Sequence, residues 1–326
     1  MQERGLVTWS PSVTLVPTRG CFNACTYCSF RVPLDQAQPL SLEQAAVQLQ
    51  QRPAATEVLL LSGEVPPASQ ERRAWFERLL ALSQLALAQG RLPHTNAGPL
   101  SLFEMARLAR LNPSMGLMLE GLGPAYGPLH RHAPSKRLQV RLAQLLQAGR
   151  LGLPFTTGLL LGVGETRADR EQALRLLADL QQRWGHLQEV ILQPWRPDGE
   201  AARALSAAEQ ANLLDTIAMA RALLPAEVHL QMPPNLWPLE RLADALDAGI
   251  SDLGGIDVED VINPAYPQPA VRSLQQALQR RGWRLQPRTC VHRRWWPGLP
   301  PLLRARVEST ARLLASATNE AHAPHG

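Results

Sequence analysis

The sequence predicts an α/β fold, a TIM-type barrel of seven to eight βα units that is complete or nearly complete. Short apolar segments alternate with helical segments along most of the 326 residues, and no linker interrupts the alternation. Strands separated by helices run parallel and carry the helices on their outer side. Seven or eight such units in one uninterrupted chain fit a closed barrel better than an open sheet.

The predicted strands are short and mostly apolar, as expected for strands that are buried on both faces. A weaker eighth candidate surrounds SDLGG (251–255). In chain order, the other seven are SVTLVPT (12–18), EVLLLS (57–62), LPHTN (92–96), MGLMLE (115–120), PFTTGLLLG (154–162), EVILQP (189–194) and EVHLQMP (227–233).

The segments between the strands carry helix-start signals. Ser41, Ser101 and Ser206 each stand three residues before a Glu or Gln, which is the capping-box pattern. The helical segment RLQVRLAQLLQA (137–148) is followed by Gly149, a residue that commonly ends helices, so we predict that this helix stops there.

We expect one domain over residues 1–315, which includes a C-terminal extension, and a frayed polar tail, SATNEAHAPHG, over residues 316–326. No run of eighteen apolar residues predicts a membrane span. The first residues, MQERGLVTWSP, lack the basic and apolar regions of a secretory leader. The expected location is therefore the cytoplasm, without association with a membrane.

The net charge of +5 does not indicate nucleic-acid binding, because the 33 basic residues are scattered among acidic ones. Only one of them, Lys136, is a lysine. Ammonium and guanidinium groups differ in shape and hydration, so a lone lysine in an arginine-rich chain suggests a position that requires the ammonium.

Three of the four cysteines, Cys21, Cys25 and Cys28, lie in CFNACTYC directly after the first predicted strand. In a barrel such a loop lies at the carboxyl end, where functional residues collect. A zinc site usually needs four protein ligands, and no fourth Cys or His lies within the segment. A four-iron cluster held by three thiolates keeps one iron open. Three buried structural cysteines are the alternative.

The CFNACTYC segment resembles the C-x3-C-x2-C signature of the radical S-adenosylmethionine (SAM) superfamily. The resemblance implies a radical SAM type barrel with a [4Fe-4S] cluster on Cys21, Cys25 and Cys28, whose open iron is chelated by SAM. Cleavage of SAM then gives methionine and a 5′-deoxyadenosyl radical, which abstracts a hydrogen atom from the substrate. Tyr27 is expected beside SAM, and Phe30 is expected to screen the cluster from solvent.

Two further segments resemble the SAM-binding motifs of this superfamily. In LLLSGEVP (59–66), Gly63 would let the backbone turn close to the ligand, and Glu64 would accept hydrogen bonds from the SAM ammonium. In GLLLGVGET (158–166), Gly162 and Gly164 would lie against the adenine. A tight turn between strand and helix is the alternative explanation for these two glycines.

Two charged residues complete the expected SAM pocket. Glu120, which ends the fourth predicted strand, would accept from the ribose hydroxyls. Lys136 opens the next helix, where relatives similar to biotin synthase place a basic residue near the SAM carboxylate. For both residues, the alternative is a side chain that is merely solvated. A helix start does not favour a cation, which weakens the case for Lys136.

The resemblance narrows within the superfamily to the CofG family of 7,8-didemethyl-8-hydroxy-5-deazariboflavin synthases. It covers residues 12–285 and rests most on the later segments. The segments that carry it are RGCFNACTYCSFR, HAPSK, PFTTGLLLGVGET, LQPWRPDGE, MPPNLWP and GISDLGGIDVEDVINPAYPQP.

This family resemblance implies the ring-closing half of a two-enzyme synthesis, which yields the deazaflavin chromophore of coenzyme F420. A partner radical SAM enzyme, CofH, would join a fragment of tyrosine to 5-amino-6-(D-ribitylamino)uracil, and the two enzymes could meet in a transient complex. This chain would then act on the adduct as a carbon–nitrogen lyase, closing the ring and releasing ammonia. A low-potential electron donor such as flavodoxin or ferredoxin would reduce the cluster.

The expected substrate carries a pyrimidinedione, a phenol and a ribityl chain, so its pocket needs amide and hydroxyl partners and flat apolar walls. Each residue chosen for this pocket also has an explanation without substrate. A Trp can belong to the core, and an Asn or Asp can serve only to form a turn. The candidate substrate residues follow late strands or lie beyond them: Trp195, Arg196, Asn235, Asp257 and Asn263.

Two other functions stay open on the sequence. One is a different radical SAM enzyme of the same broad group, such as the CofH-type partner or a homologue from menaquinone synthesis. The other is an iron–sulfur or zinc protein without catalysis, which would have no use for Glu64. The segment LQPRTCVHRRWW departs from the resemblance, so Cys290, simplest as a buried thiol, and His292 have no assigned role.

Overall fold

The computed structural model describes residues 5–322, except for the side chains of Glu200 and of residues 318–322. Eight parallel strands follow one another around a closed barrel, and the first pairs with both the second and the eighth. This confirms the predicted TIM-type fold. The strands are β1 (Gly5–Leu15), β2 (Glu57–Leu61), β3 (Leu92–Asn96), β4 (Ser114–Gly116), β5 (Phe155–Leu161), β6 (Leu187–Pro194), β7 (His229–Gln231), β8 (Asp252–Ile256) and the additional β9 (Trp283–Pro287).

Helices cover the outer face of the barrel. The capping boxes predicted at Ser41, Ser101 and Ser206 are all present. The helices are α1 (Leu42–Gln50), α2 (Arg72–Ala88), α3 (Leu102–Ala109), α4 (Tyr126–Leu129), α5 (Leu138–Arg150), α6 (Arg167–Trp184), α7 (Ala207–Leu223), α8 (Leu242–Ala248), α9 (Val271–Gln279) and α10 (Pro301–His322). Short 3₁₀ turns lie at Leu34–Gln36, Pro134–Lys136, Gly199–Ala201, Pro234–Leu236, Leu239–Arg241 and Arg293–Gly298.

The prediction that Gly149 ends its helix is wrong, because α5 continues to Arg150. A Cβ atom at Gly149 would lie 2.6 Å from Cγ of Trp184, so this position needs glycine for close packing of α5 against α6. The turn is made instead by Gly152, whose φ of 61° lies in the left-handed region that favours glycine.

The chain after β8 adds a strand and a long helix that the sequence did not predict. The first half of β1 pairs with β9, from Gly5 opposite Trp283, and its second half pairs with β2, from Ser12 opposite Glu57. Helix α10 includes residues 316–322, the first part of the expected tail, and residues 323–326 lie outside the described residues.

The segment after β9 closes the amino end of the barrel with a buried ion-pair network. Arg288 donates to both oxygens of Asp252, over 2.6 Å at Oδ1, and also pairs with Glu189. His292 lies 2.9 Å from Glu189 Oε1. Burial and the Arg288 charge hold the pKa of His292 well below its usual range. Cys290 is buried here, as expected, and burial raises the pKa of its thiol.

Within residues 5–322, no helix combines the length and the apolar character that crossing a membrane would require. The main apolar core lies between the strands and the surrounding helices. Leu79 of α2, Leu145 of α5 and Leu177 of α6 have no exposed surface there. This layer fixes the helices against the strands, so that the loops at the carboxyl end of the barrel stand on a rigid frame.

Candidate active site at the carboxyl end of the barrel

The loop after β1 brings the three clustered cysteines to one cavity. Cys21 donates from its backbone nitrogen to Val32 O over 3.1 Å, and Val32 N donates to Arg19 O over 3.0 Å, so the loop closes on itself. Cys21, Cys25 and Cys28 are free thiols and all line a cavity of about 200 Å³. The structure thus places the three thiols together at the carboxyl end of the barrel.

The cavity is lined by residues from several loops at the carboxyl end of the barrel and from the upper part of its interior. It brings together eight of the ten cluster and SAM residues predicted from the sequence, and only Gly162 and Gly164 lie elsewhere. The eight are Cys21, Cys25, Cys28, Tyr27, Gly63, Glu64, Glu120 and Lys136.

Two thiols of the loop, those of Cys21 and Cys25, favour the protonated form in the absence of a metal. Burial raises the pKa of Cys25 to about 11, against the opposing charge of Lys136, and burial also raises the pKa of Cys21. A bound metal ion removes the proton from a coordinating thiol. Phe30 is buried beside the loop, as expected for a screening residue.

Gly63 allows the loops after β1 and β2 to pack tightly. A Cβ atom at Gly63 would lie 2.2 Å from Gly20 O, a distance that no side chain could accept. Gly63 N donates to Thr18 O over 2.7 Å, and Phe22 N donates to Glu64 O over 3.0 Å. The glycine therefore fixes Glu64 next to the cysteine loop.

Glu64 is buried and holds a dense set of hydrogen bonds. Its Oε1 accepts from Arg141 Nη2 over 2.9 Å, and its Oε2 accepts from Asn23 Nδ2 over 2.9 Å and from the Ser135 hydroxyl. Burial alone would raise the pKa of this carboxyl, but the charges of Arg141 and Lys136 and the hydrogen bonds outweigh the effect of burial. The pKa is lowered, so Glu64 is a carboxylate.

Sequence reasoning missed Asn23, Ser135 and Arg141. Asn23 also approaches Cys21 Sγ, 3.7 Å from its Nδ2, and donates to Ser135 Oγ over 2.8 Å. Arg141 is almost fully buried, and its Nε has no hydrogen-bond partner among the described residues. The available signals were the position of Asn23 inside the cysteine motif and a second basic residue, Arg141, in the helix after Lys136.

Glu120 stands in a strained backbone conformation. Strand β4 ends at Gly116, earlier than predicted, and Glu120 follows in an isolated bridge with Leu159. Its φ of 76° is the one positive value at a non-glycine residue in the part of the chain that the structure describes. The carboxylate pairs with Lys136 and accepts from the Tyr27 hydroxyl over 3.2 Å. Such strain costs roughly 1–3 kcal/mol and collects at functional sites.

The two glycines of the β5 segment make a turn. Gly162 and Gly164 have φ values of 90° and 101°, and Glu165 accepts from the backbone nitrogens of Gly162 and Val163 over 2.8 Å each. Neither glycine lines the cysteine cavity. The structure thus explains both by turn geometry, while Leu160 of the same segment does line the cavity.

The predicted substrate residues separate into two groups. Trp195, Arg196 and Asn263 line a second cavity of about 60 Å³, which shares Tyr27 and Cys28 with the cysteine cavity. Arg196 donates to Leu236 O over 2.9 Å and stacks 4.2 Å from the centre of the Tyr266 ring. The structure places these three beside the cysteine cavity, and their role as substrate contacts stays a prediction.

The other two candidates lie away from both cavities. Asn235 donates to Asp260 and to Tyr266 O over 2.8 and 2.9 Å, which makes it a loop-fixing residue. Asp257 accepts from Thr14 N over 2.8 Å and pairs with Arg52 over 3.3 Å, beside an outer cleft. The structure does not bring them to the cysteines, because Asn235 bonds to the loop after β8 and Asp257 bonds to the end of β1 and to Arg52.

The cavity fits the pair of cofactors that the cysteine motif calls for. Three thiols from one loop supply the ligands of a cluster with an open iron. Two carboxylates, Glu64 and Glu120, suit an ammonium and hydroxyls, and the unpartnered Nε of Arg141 suits a carboxylate. These are the charged and polar groups of an amino-acid nucleoside such as SAM.

Comparison with known proteins agrees with this site. The sequence profile of the radical SAM superfamily matches residues 15–177, the half of the chain that contains the cysteine loop and α5. Among solved structures, the FeFe-hydrogenase maturase HydG from Carboxydothermus hydrogenoformans superimposes with a TM-score of 0.70 at 18% identity, covering 93% of this chain and 76% of HydG. Methylornithine synthase (PylB) gives 0.63 at 15% identity, covering 86% and 83%. At these identities the likeness concerns the fold.

Curated relatives are much more similar in sequence. A 7,8-didemethyl-8-hydroxy-5-deazariboflavin synthase of Synechococcus elongatus is 48% identical over 94% of this chain and 92% of its own length. A protein of the same name from Gloeobacter violaceus is 48% identical over 97% and 99%. The chain belongs to the radical SAM superfamily and, within it, to the family of 7,8-didemethyl-8-hydroxy-5-deazariboflavin synthases.

Proposed function

We propose that this chain closes the deazaflavin ring: it abstracts a hydrogen atom from the adduct of a tyrosine-derived fragment and 5-amino-6-(D-ribitylamino)uracil, and releases ammonia. The observation that carries the proposal is the meeting of Cys21, Cys25 and Cys28 with Glu64 and Arg141 in one cavity. The names of relatives that are nearly half identical over most of their length support the same product.

Different residues of the cavity would bind the cluster and the different parts of SAM. The three cysteines would bind the cluster, Arg141 and Glu64 would bind the amino-acid end of SAM, and Glu120 would accept from its ribose. When bound, the reduced cluster and SAM supply a carbon radical that abstracts the hydrogen atom. Leu160 and Phe30 would keep water from that region of the cavity.

The second cavity would hold the aromatic part of the substrate. It opens from the cysteine cavity at Tyr27 and Cys28 and offers the flat faces of Trp195 and Tyr266. Asn263, which lines the same cavity, would supply an amide partner. The adduct would come from a CofH-type enzyme in a transient encounter, and a flavodoxin or ferredoxin would deliver the electron.

The proposal is tested by anaerobic incubation of the reconstituted protein with SAM, reductant and either of two sets of substrates. With the isolated adduct, the protein should form a fluorescent deazaflavin, ammonia, methionine and 5′-deoxyadenosine. With tyrosine and the ribitylaminouracil alone, it should form no deazaflavin. Consumption of tyrosine would instead assign the CofH-type activity to this chain.

A further inference from the structure

A second polar cavity, the axial cavity, lies inside the barrel below the cysteine cavity. It measures about 100 Å³ and shares Asn96, Leu117 and Met118 with the cysteine cavity, so the two adjoin. Its floor is Arg288, which is paired with Asp252 and Glu189. The site described above makes no use of this space.

Two glycines keep the axial cavity open. A Cβ atom at Gly255 would lie 2.9 Å from Ser12 Oγ and 3.5 Å from Glu57 Oε1. A Cβ atom at Gly116 would lie 3.0 Å from His94 Nε2. Both positions have ordinary φ values, so backbone strain does not explain glycine there. Each glycine leaves polar atoms facing space that a methyl group would fill.

Hydrogen bonding fixes which atom of His94 faces the cavity. Ser114 Oγ donates its single proton to Cys290 O over 2.8 Å, so it accepts from His94 Nδ1, 2.7 Å away. The Nε2 atom therefore carries the lone pair, and this is the atom nearest to the open position at Gly116. Burial lowers the pKa of His94 to about 4, which keeps the ring neutral.

The remaining polar groups surround the barrel axis on different strands. The Ser12 hydroxyl on β1 stands behind Gly255 and not in the cavity lining itself; it is buried and has no hydrogen-bond partner within residues 5–322. The side-chain amides of Asn96 on β3 and Gln231 on β7 bond to no other described side chain or backbone atom. Glu57 on β2 faces the same space. Buried polar groups of this kind normally find partners, so a ligand or water must supply them.

The charges around the axial cavity favour a neutral occupant. The cation of the floor, Arg288, is already neutralised by two carboxylates, so nothing attracts an anion such as a phosphate. The group of Glu189, Asp252 and His292 has the spacing of a metal site, but the guanidinium of Arg288 pairs with both acids. The favoured occupant is neutral and both donates and accepts hydrogen bonds.

We propose that the axial cavity binds the polyhydroxylated chain of the substrate, with His94 Nε2 and Glu57 as hydroxyl partners. A flat ring presents its polar atoms along an edge, whereas the polar lining here encircles an axis, with residues on β2, β3, β5, β6 and β7. A narrow chain with a hydroxyl on each carbon matches that arrangement. The inference rests on the proposed function, which supplies a ribityl substrate, and adds the place where that chain lies.

The test compares two fluorescent ligands on the reconstituted holoenzyme by equilibrium titration. One is 7,8-didemethyl-8-hydroxy-5-deazariboflavin, and the other carries a methyl group in place of its ribityl chain. The wild-type protein should bind the ribityl compound about tenfold or more tightly than the methyl compound, the worth of one or two buried hydroxyl hydrogen bonds.

The variants Gly116→Ala and Gly255→Ala each add one methyl group to the axial cavity. Each should cut that preference to about threefold or less, by weakening the ribityl compound alone. Gly298→Ala makes the same chemical change in open space with nothing within 4 Å and serves as the matched control. Unchanged iron content and SAM affinity would show that the variants are folded.

Three results would overturn the inference. Equal binding of both ligands to the wild type would place the chain outside the cavity. Equal weakening of both ligands by the glycine variants would place the heterocycle there instead. If both glycine variants kept the full preference for the ribityl compound, the axial cavity would not be the place where the chain binds. If the protein nevertheless turned over the adduct, the proposed function would stand and this inference alone would fall; absence of turnover and of binding would remove both.

Discussion

Arg141 donates from Nη2 to Oε1 of Glu64 across 2.9 Å at the edge of the cysteine cavity, and both side chains are buried. The pair explains why a carboxylate remains charged in this place, since an opposite charge in contact lowers a carboxyl pKa. It also leaves Nε of Arg141 without a partner among the described residues. An anionic group of a ligand would satisfy that nitrogen.

The first prediction concerns this arginine. Arg141→Lys keeps the charge but loses the planar fork, so it should weaken SAM binding about tenfold or more while leaving the iron content unchanged. Equilibrium dialysis with labelled SAM measures the affinity. Arg91→Lys is the matched control, because Arg91 is also buried with an unpartnered nitrogen but lines no part of the cysteine cavity. Equal losses in the two variants would remove Arg141 from the binding site.

The second prediction concerns the metal. Protein reconstituted without oxygen should carry about four irons and four sulfides per chain. Alanine at Cys21, Cys25 or Cys28 should abolish the cluster, whereas Cys290→Ala should retain it, because Cys290 lies in the floor of the barrel and not in the loop. Iron and sulfide assays decide the matter. A variant that lacks all three loop cysteines yet holds the full iron content would contradict the assignment.

The third prediction separates strain from binding at Glu120. Glu120→Gly and Glu120→Ala both lose the carboxylate, but only alanine must hold the φ of 76°. The glycine variant should therefore be more stable than the alanine variant by roughly 1–3 kcal/mol, while the two bind SAM equally and more weakly than wild type. Thermal unfolding and SAM titration measure the two effects. Equal stability of the two variants would show that the backbone there is not strained.

The fourth prediction follows from Glu57. Burial, opposed by the charge of Arg288, raises the pKa of its carboxyl from 4.5 to about 7. The folded protein thus holds a proton that the unfolded chain releases, and the stability it contributes is complete below pH 4.5 and is lost as the pH rises through about 7. Infrared difference spectra should show a protonated carboxyl band that disappears around pH 7 and is absent from Glu57→Gln.

The stability of the Glu57 variant should change with pH in the same sense. Between about pH 4.5 and pH 7, the thermal midpoint of the wild type should fall relative to that of Glu57→Gln, and above about pH 7 the difference should level off. Glu43→Gln, a change at an exposed residue, is the control and should keep both the band and the wild-type pH dependence. A wild-type protein without the band at pH 6 would show that Glu57 ionises as an ordinary carboxyl.

The sequence predicted the barrel and the cysteine loop because both depend on local signals. Apolar runs of strand length and the spacing of Cys21, Cys25 and Cys28 are visible without knowledge of the fold. Strand β9 was missed because its pairing with the first residues of β1 joins segments that are distant in the chain. Gly149 was misread because its close contact with Trp184 is a tertiary one.

The polar part of the site was predicted only in part, for the same physical reason. Glu64 follows a strand and so stands out, whereas Arg141 lies within α5 and looks like any basic residue on a helix. Its partner becomes apparent only when α5 packs against the loop after β2. The axial cavity is likewise formed by single residues on separate strands, and no motif marks them.

The central claim is that this chain removes a hydrogen atom from the adduct and closes its ring. The most direct measurement is mass spectrometry of the 5′-deoxyadenosine formed from adduct that is deuterated in its tyrosine-derived part. The account predicts one deuterium transferred into 5′-deoxyadenosine for each deazaflavin formed, with one ammonia released. Unlabelled 5′-deoxyadenosine, or deazaflavin formed without it, would contradict the claim.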